Sequence, residues 1–232
     1  MPAPTPAPMP GPPQAPSVPH RCVVVVPVKP PAVGKSRLTG LSDRARRDVA
    51  EAFALDTAQA AASTPGVETV LVVTDDFRLA SSMRALGCEV MPDGTSEDLN
   101  ATLVQAVAEV VRRWPGTVPV ALCADLPGLR PVELASVLRD VAEHVAAGRS
   151  AFVPDRSGTG TTLYAAPAAQ FDARFGAESA ARHRDAGAVE AGTTATSVRT
   201  DVDDLADLDA ALVAGVGPHT SRACEGRATP LG

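Results

Sequence analysis

Apolar residues cluster along the chain in two alternating rhythms. Short β-branched runs are separated by longer stretches in which Ala and Leu recur at helical spacing. The first run, Cys22-Val23-Val24-Val25-Val26-Pro27-Val28, is apolar at every position, the signature of a strand buried on both faces. Ser42-Asp43 then supplies a cap for a helix running to about Ala62. Further strands are predicted at Glu68–Thr74, Cys88–Met91 and Val118–Cys123, with two more at Ser150–Val153 and Thr161–Ala165. Helices are predicted at Asp76–Leu86, Glu97–Arg113 and Pro131–Ala147, the last with Pro in its first turn. Shorter helices are expected over 167–174 and 178–186, and another from Asp204 to about Ala214.

Strands alternating with helices through short links predict an α/β fold. Its sheet would be mixed but mostly parallel and Rossmann-like, covered by helices on both faces. In such sheets the ligand sits beyond the carboxyl ends of the strands, so the residues following each strand are the ones to inspect.

The remaining bounds are compositional. Residues 1–19, MPAPTPAPMPGPPQAPSVP, have little to bury and cannot form a ladder, and are read as a disordered Pro/Ala tail. A proline-rich ligand for a partner module is the competing reading. One domain is expected over 20–222, with a flexible C-terminus over 223–232 and fraying from roughly Gly215 onward. The 232 residues are 45% hydrophobic and 21% charged, an ordinary globular balance. A net charge of −6 and 3% aromatics argue against nucleic-acid binding. Cys22, Cys88, Cys123 and Cys224 form neither a zinc set nor a disulfide framework. With no apolar run of membrane-spanning length and no signal-peptide pattern, a cytoplasmic protein that does not engage a membrane is expected.

After the first strand comes Lys29-Pro30-Pro31-Ala32-Val33-Gly34-Lys35-Ser36-Arg37. A P-loop would need glycine where Lys29 stands, and two prolines remove N–H donors from any phosphate cradle. The better reading is a basic loop in which Lys29, Lys35 and Arg37 hold a triphosphate, against the alternative of a solvated surface loop. The second strand ends in Thr74-Asp75-Asp76, which either touches a base or ribose or caps the next helix. After the third, Asp93-Gly94 opens a turn leading to Asn100, whose amide can read a base or cap.

The fourth strand delivers Asp125, a carboxylate directly past buried apolar residues and a natural hard ligand for Mg²⁺. Near the far end, Asp201 and Asp203 stand two apart, so on extended chain they point the same way. Adjacent carboxylates repel unless a cation neutralises them, and with Asp125 they make a metal-site candidate. Asp155–Thr162 is a Gly/Thr turn with N–H groups and hydroxyls available to an anion. Gly176 followed by Ser179 at a helix start is either an anion site or a plain cap. His183, near three arginines, is taken as structural or solvated rather than a base.

The segments PVKPPAVGKSRL, ADLPGL, DRSGTGTTL, RFGAESAARHRDAGAVE and TDVDDLADLDAA, in this order, resemble the CofC/FbiD family of guanylyltransferases in coenzyme F420 biosynthesis. The similarity covers about residues 21–222. It implies a single domain of the nucleotide-diphospho-sugar transferase type that transfers GMP from GTP to a phosphorylated three-carbon acid. The product would be enolpyruvoyl-2-diphospho-5'-guanosine if the acceptor is phosphoenolpyruvate, and 2-phospho-L-lactate is the alternative acceptor. The Ala-rich composition and the Ser-Ala-Ala-Arg-His run resemble actinobacterial members, which favours phosphoenolpyruvate. The resemblance places acceptor contacts on Thr161, Gly176 and Ser179. It places Mg²⁺ on Asp125, Asp201 and Asp203. One departure is Cys123-Ala124 before Asp125, where a small polar or glycine step is expected. Lys29, Lys35 and Arg37 with Asp125 are then the catalytic candidates, and Thr74 and Asn100 join the basic residues as nucleotide contacts. A homodimer is compatible with this reading, and the product would pass to a downstream transferase of the same pathway. The competing readings are a molybdenum-cofactor or sugar-phosphate nucleotidyltransferase, disfavoured by the proline-rich first loop, and an inactive nucleotide-binding regulator, disfavoured by the three intact carboxylates.

Overall fold

A computed structural model of the chain describes residues 21–29, 38, 40–94 and 98–225. The Pro/Ala tail, Lys35 and Arg37 lie outside the described residues. In chain order the elements are β1 (Cys22–Pro27), α1 (Asp43–Ala62), β2 (Val67–Val73), α2 (Phe77–Ala85), β3 (Glu89–Met91), α3 (Leu99–Arg113), β4 (Val118–Leu122) and α4 (Pro131–Ala146). They continue with β5 (Ala151–Pro154), β6 (Thr161–Ala165), α5 (Ser179–Asp185), β7 (Val189–Glu190), α6 (Thr196–Arg199), α7 (Leu205–Ala214) and α8 (Pro218–Ala223). A 3₁₀ turn at Ala168–Gln170 replaces the helix expected over 167–174.

The seven strands form one sheet in the order β3-β2-β1-β4-β6-β5-β7. The β1–β2, β1–β4, β2–β3 and β5–β7 pairs are parallel, whereas β6 runs antiparallel to both β4 and β5. Strand β1 shows why its run of valines is needed. Val24 and Val26 face the cluster built with α1, α2 and α4, while Val23 and Val25 face the cluster built with α3. All four are fully buried. At roughly 1.5–3 kcal/mol each, they anchor the centre of the sheet to both helical layers. A charge at any of the four would have no solvated face to turn to.

Local signals set the helix starts. Ser42 Oγ accepts the Ala45 N–H at 3.2 Å, and Asp76 and Asp98 cap α2 and α3 in the same manner. Asp76 is therefore a cap. Its neighbour Asp75 accepts the N–H of Asp93 at 2.9 Å and fixes the turn after β3.

A third cluster, with Leu38, Phe53, Val202 and Leu208 fully buried, lies between α1 and α7. The helix α8 packs on α1, so the chain does not fray at Gly215 as expected. Buried Asp56 of α1 accepts the N–H groups of His219 and Thr220 at 3.0 and 2.8 Å, and these bonds dock α8. Burial pushes the Cys22 and Cys88 thiols up to about 11, leaving them protonated packing groups. No helix among the described residues is long and apolar enough to cross a membrane.

Candidate active site

From β1 the chain builds β2 and β3 on one side, then returns to lay β4 on the other. The crevice at the carboxyl ends of β1 and β4 is thus a topological switch point. A cavity of about 360 Å³ opens there. Lys29 after β1 lines it, as do Cys123 and Asp125 after β4, Leu103 of α3, Phe175 and Asp203.

The three acidic candidates converge. Backbone pairing explains how: the Val202 N–H donates to the Asp125 carbonyl at 3.0 Å, laying the extended 201–203 segment beside the end of β4. Val202 is fully buried in the third cluster, so period-2 alternation turns Asp201 and Asp203 the other way, toward Asp125. Each of the three carboxylates offers an oxygen within 4.8 Å of the others. Two further contacts hold the frame. The Thr57 hydroxyl donates to the Ala124 carbonyl and accepts the Leu126 N–H, bracketing Asp125. The Arg199 guanidinium donates to the carbonyls of Pro154, Thr193 and Asp155, fixing the approach to Asp201. Burial, then repulsion from Asp125 and Asp203, pushes the Asp201 carboxyl up to about 7. A cluster that resists its own ionisation and presents only hard oxygen donors fits a divalent cation.

Lys29 is held from behind. Its ammonium donates to Asp93 at 2.7 Å, and Asp93 is itself buried, accepting the Thr102 hydroxyl. Asp93 went unassigned at the level of sequence, although it stands just past a strand as Asp125 does.

Thr74 and Asn100, expected as nucleotide contacts, each make hydrogen bonds within the chain. Thr74 is buried at the end of β2, where its hydroxyl accepts the Asp76 N–H at 3.2 Å. The Asn100 amide bonds to the main chain of Phe175 through both of its ends: Oδ1 accepts its N–H at 2.8 Å, and Nδ2 donates to its carbonyl at 3.2 Å. Neither residue lines the cavity. Asn100 pins the loop leading to Gly176, and one Nδ2 hydrogen and one Oδ1 lone pair are left over after these two bonds.

The acceptor candidates form a second group adjoining the cavity. Thr161 opens β6, and its carbonyl accepts the thiol of the cavity residue Cys123 at 3.4 Å. Cys123 thus occupies the unexpected position without displacing Asp125. Gly176 follows Phe175 and has φ of 121°, and a Cβ there would lie 2.9 Å from an Arg182 guanidinium nitrogen. Its carbonyl accepts the N–H of Ser179, the buried first residue of α5. His183, also on α5, is fully buried and bonds to Thr161.

Comparison with known proteins follows the same lines. The family model described as guanylyl transferase CofC like matches residues 22–223. A phosphoenolpyruvate guanylyltransferase of Streptomyces coelicolor is 47% identical over 201 residues, spanning 85% of this chain and 93% of that protein. One from Streptomyces avermitilis is 46% identical over 203 residues, spanning 86% and 92%. Among solved structures, a protein from Desulfovibrio desulfuricans described as a nucleotide-diphospho-sugar transferase superposes with a TM-score of 0.58 at 17% identity, covering 90% of each chain. That likeness shows the shared fold.

Proposed function

The chain belongs to the CofC-like guanylyl transferase family, and from that premise we propose that it transfers GMP from GTP to phosphoenolpyruvate, releasing pyrophosphate. The observation carrying this reading is the convergence of Asp125, Asp201 and Asp203 beside a cavity that also presents Lys29.

The reaction joins two polyanions. Two unit charges about 4 Å apart repel by roughly 1 kcal/mol in water and about 4 kcal/mol at an effective dielectric of 20. Neutralisation and alignment are therefore the main catalytic tasks. Asp125, Asp201 and Asp203 would hold Mg²⁺, which supplies positive charge to the phosphates when bound. Lys29, backed by Asp93, binds phosphate oxygen as a fixed point charge, and Lys35 and Arg37 join it on the triphosphate. The cavity takes the nucleoside. Thr161, Gly176 and Ser179 orient phosphoenolpyruvate so that a phosphate oxygen faces the α-phosphorus. That oxygen forms the new P–O bond as the bond to pyrophosphate breaks. The attacking phosphate is already ionised, so no side chain has to remove a proton.

The test is to incubate the full chain with Mg²⁺, GTP or ATP, and phosphoenolpyruvate or 2-phospho-L-lactate, then weigh the products. GTP with phosphoenolpyruvate is expected to yield pyrophosphate and the guanylylated acid. Turnover of 2-phospho-L-lactate alone, or of neither acceptor, contradicts the assignment.

A further inference from the structure

His183 has no solvent exposure. Its ring stacks on Phe152 and Tyr164, with centroids 5.5 and 4.7 Å away, and meets Phe175 edge-on. A buried imidazole needs partners for both nitrogens, and the identity of those partners fixes its proton. Nε2 accepts the backbone N–H of Arg174 at 2.9 Å. An amide nitrogen only donates, so Nε2 is bare, and in the neutral ring the proton sits on Nδ1. The ring is neutral near pH 7, because burial foremost holds its pKa down to about 4, against the opposing pull of the Ser179 carbonyl. The Nδ1 proton faces two acceptors, the Ser179 carbonyl and Thr161 Oγ1, the latter at 3.0 Å. The hydroxyl oxygen therefore accepts, and the threonine must donate its own hydrogen elsewhere.

We propose that His183 is a positioning residue: by donating from Nδ1 it turns the Thr161 hydroxyl hydrogen toward an anionic oxygen of phosphoenolpyruvate, while Nε2 holds the chain entering the Phe175–Gly176 loop. The inference rests on the reading that phosphoenolpyruvate binds against Thr161, Gly176 and Ser179. It adds a reason why those three, drawn from β6, a loop and α5, act together. Ser179 stands one helical turn before His183, and Asn100 clamps the same loop from α3. His183 is not a base, since Nε2 is occupied and Nδ1 already carries its proton.

Two substitutions separate its bonds. His183→Asn keeps a donor near Nδ1 and loses Nε2; His183→Gln keeps an acceptor near Nε2 and loses the donor. Thr161→Val is expected to raise KM for phosphoenolpyruvate on the order of 10- to 100-fold, the range for losing a hydrogen bond to a charged group, with KM for GTP unchanged. His183→Gln should match it, His183→Asn should lose less, by the share that Nε2 contributes through the Phe175–Gly176 loop, and Thr161→Val should cost nothing further in the His183→Gln background. Equal losses in both histidine variants, or equal effects on KM for GTP, would overturn the proposal. Long-range ¹H–¹⁵N spectra of the unmutated protein provide a readout that needs no variant to fold. Near pH 7 they should show Nδ1 protonated and Nε2 bare; the opposite tautomer or an imidazolium overturns it. If wild type consumes phosphoenolpyruvate but Thr161→Val leaves its KM unchanged, this inference falls together with Thr161 as an acceptor contact, and the reaction stands. If wild type ignores phosphoenolpyruvate, the functional reading falls, whatever the tautomer.

Discussion

Replacing Asp201 by Asn removes a charge from the acidic cluster while keeping its shape. In the folded protein the carboxyl is pushed from 3.8 to about 7, first by burial and then by Asp125 and Asp203. At about 1.4 kcal/mol per unit, ionising it costs folding roughly 4 kcal/mol, and solvent screening at this half-buried position brings the expected gain from the substitution to about 2 kcal/mol. The sign follows from proton linkage. The unfolded chain ionises first, so metal-free wild type loses stability as pH rises from about 4 to about 7, with no further loss above. His183 contributes the opposite slope. Its folded pKa is lowered from 6.5 to about 4, so its share of stability rises with pH across that interval. The two slopes oppose each other in the wild-type profile, and the difference between Asp201→Asn and wild type isolates the cluster. Urea denaturation in chelator from about pH 4 to pH 8 measures it. The variant should gain on wild type with rising pH, by about 2 kcal/mol near pH 8, and excess Mn²⁺ should stabilise wild type more than the variant. A variant no more stable than wild type at pH 8, or a difference that ignores pH, refutes the electrostatic account of the cluster.

Other consequences are as direct. Asp93→Asn removes the anion that holds the Lys29 ammonium at 2.7 Å, and KM for GTP should rise about 10-fold, with little change for the acceptor; initial rates with each substrate varied check this, and an unchanged KM for GTP refutes the backing role. Gly217→Ala drives a Cβ into the Asp56 carboxylate that docks α8, and should cost about 2 kcal/mol of stability by overpacking; an unaltered thermal midpoint would show that α8 does not depend on that contact. Gly176→Ala strains a residue at φ 121° against Arg182, and should depress turnover at low phosphoenolpyruvate more than at low GTP, as initial rates will show.

Much of the parallel half of the fold is legible from local pattern. The valines of β1 announce a strand buried on both sides, and Ser42, Asp76 and Pro131 mark helix starts that the structure keeps. The acidic triad is legible because each member breaks a rule: Asp125 follows an apolar strand with no packing reason, and Asp201 and Asp203 share a face two residues apart. What stays hidden depends on distant partners. The antiparallel placement of β6 between β4 and β5 is decided by pairing across the sheet. The helix α8 spans only Pro218–Ala223 and is fixed by Asp56, more than 160 residues earlier. Asn100 offers a versatile amide, and only the fold shows that it clamps the main chain of Phe175. The three arginines near His183 leave open a structural or a solvated ring, and it is the aromatic cage of Phe152, Tyr164 and Phe175, assembled from separate elements, that buries it.

The most direct test of the whole account is a crystal of the full chain grown with Mn²⁺ and GTP, with data collected for anomalous scattering. The account predicts a peak bounded by carboxylate oxygens of Asp125, Asp201 and Asp203, with the triphosphate reaching toward Lys29. Nucleotide bound in the cavity with manganese elsewhere, or with none at saturating concentration, would contradict it.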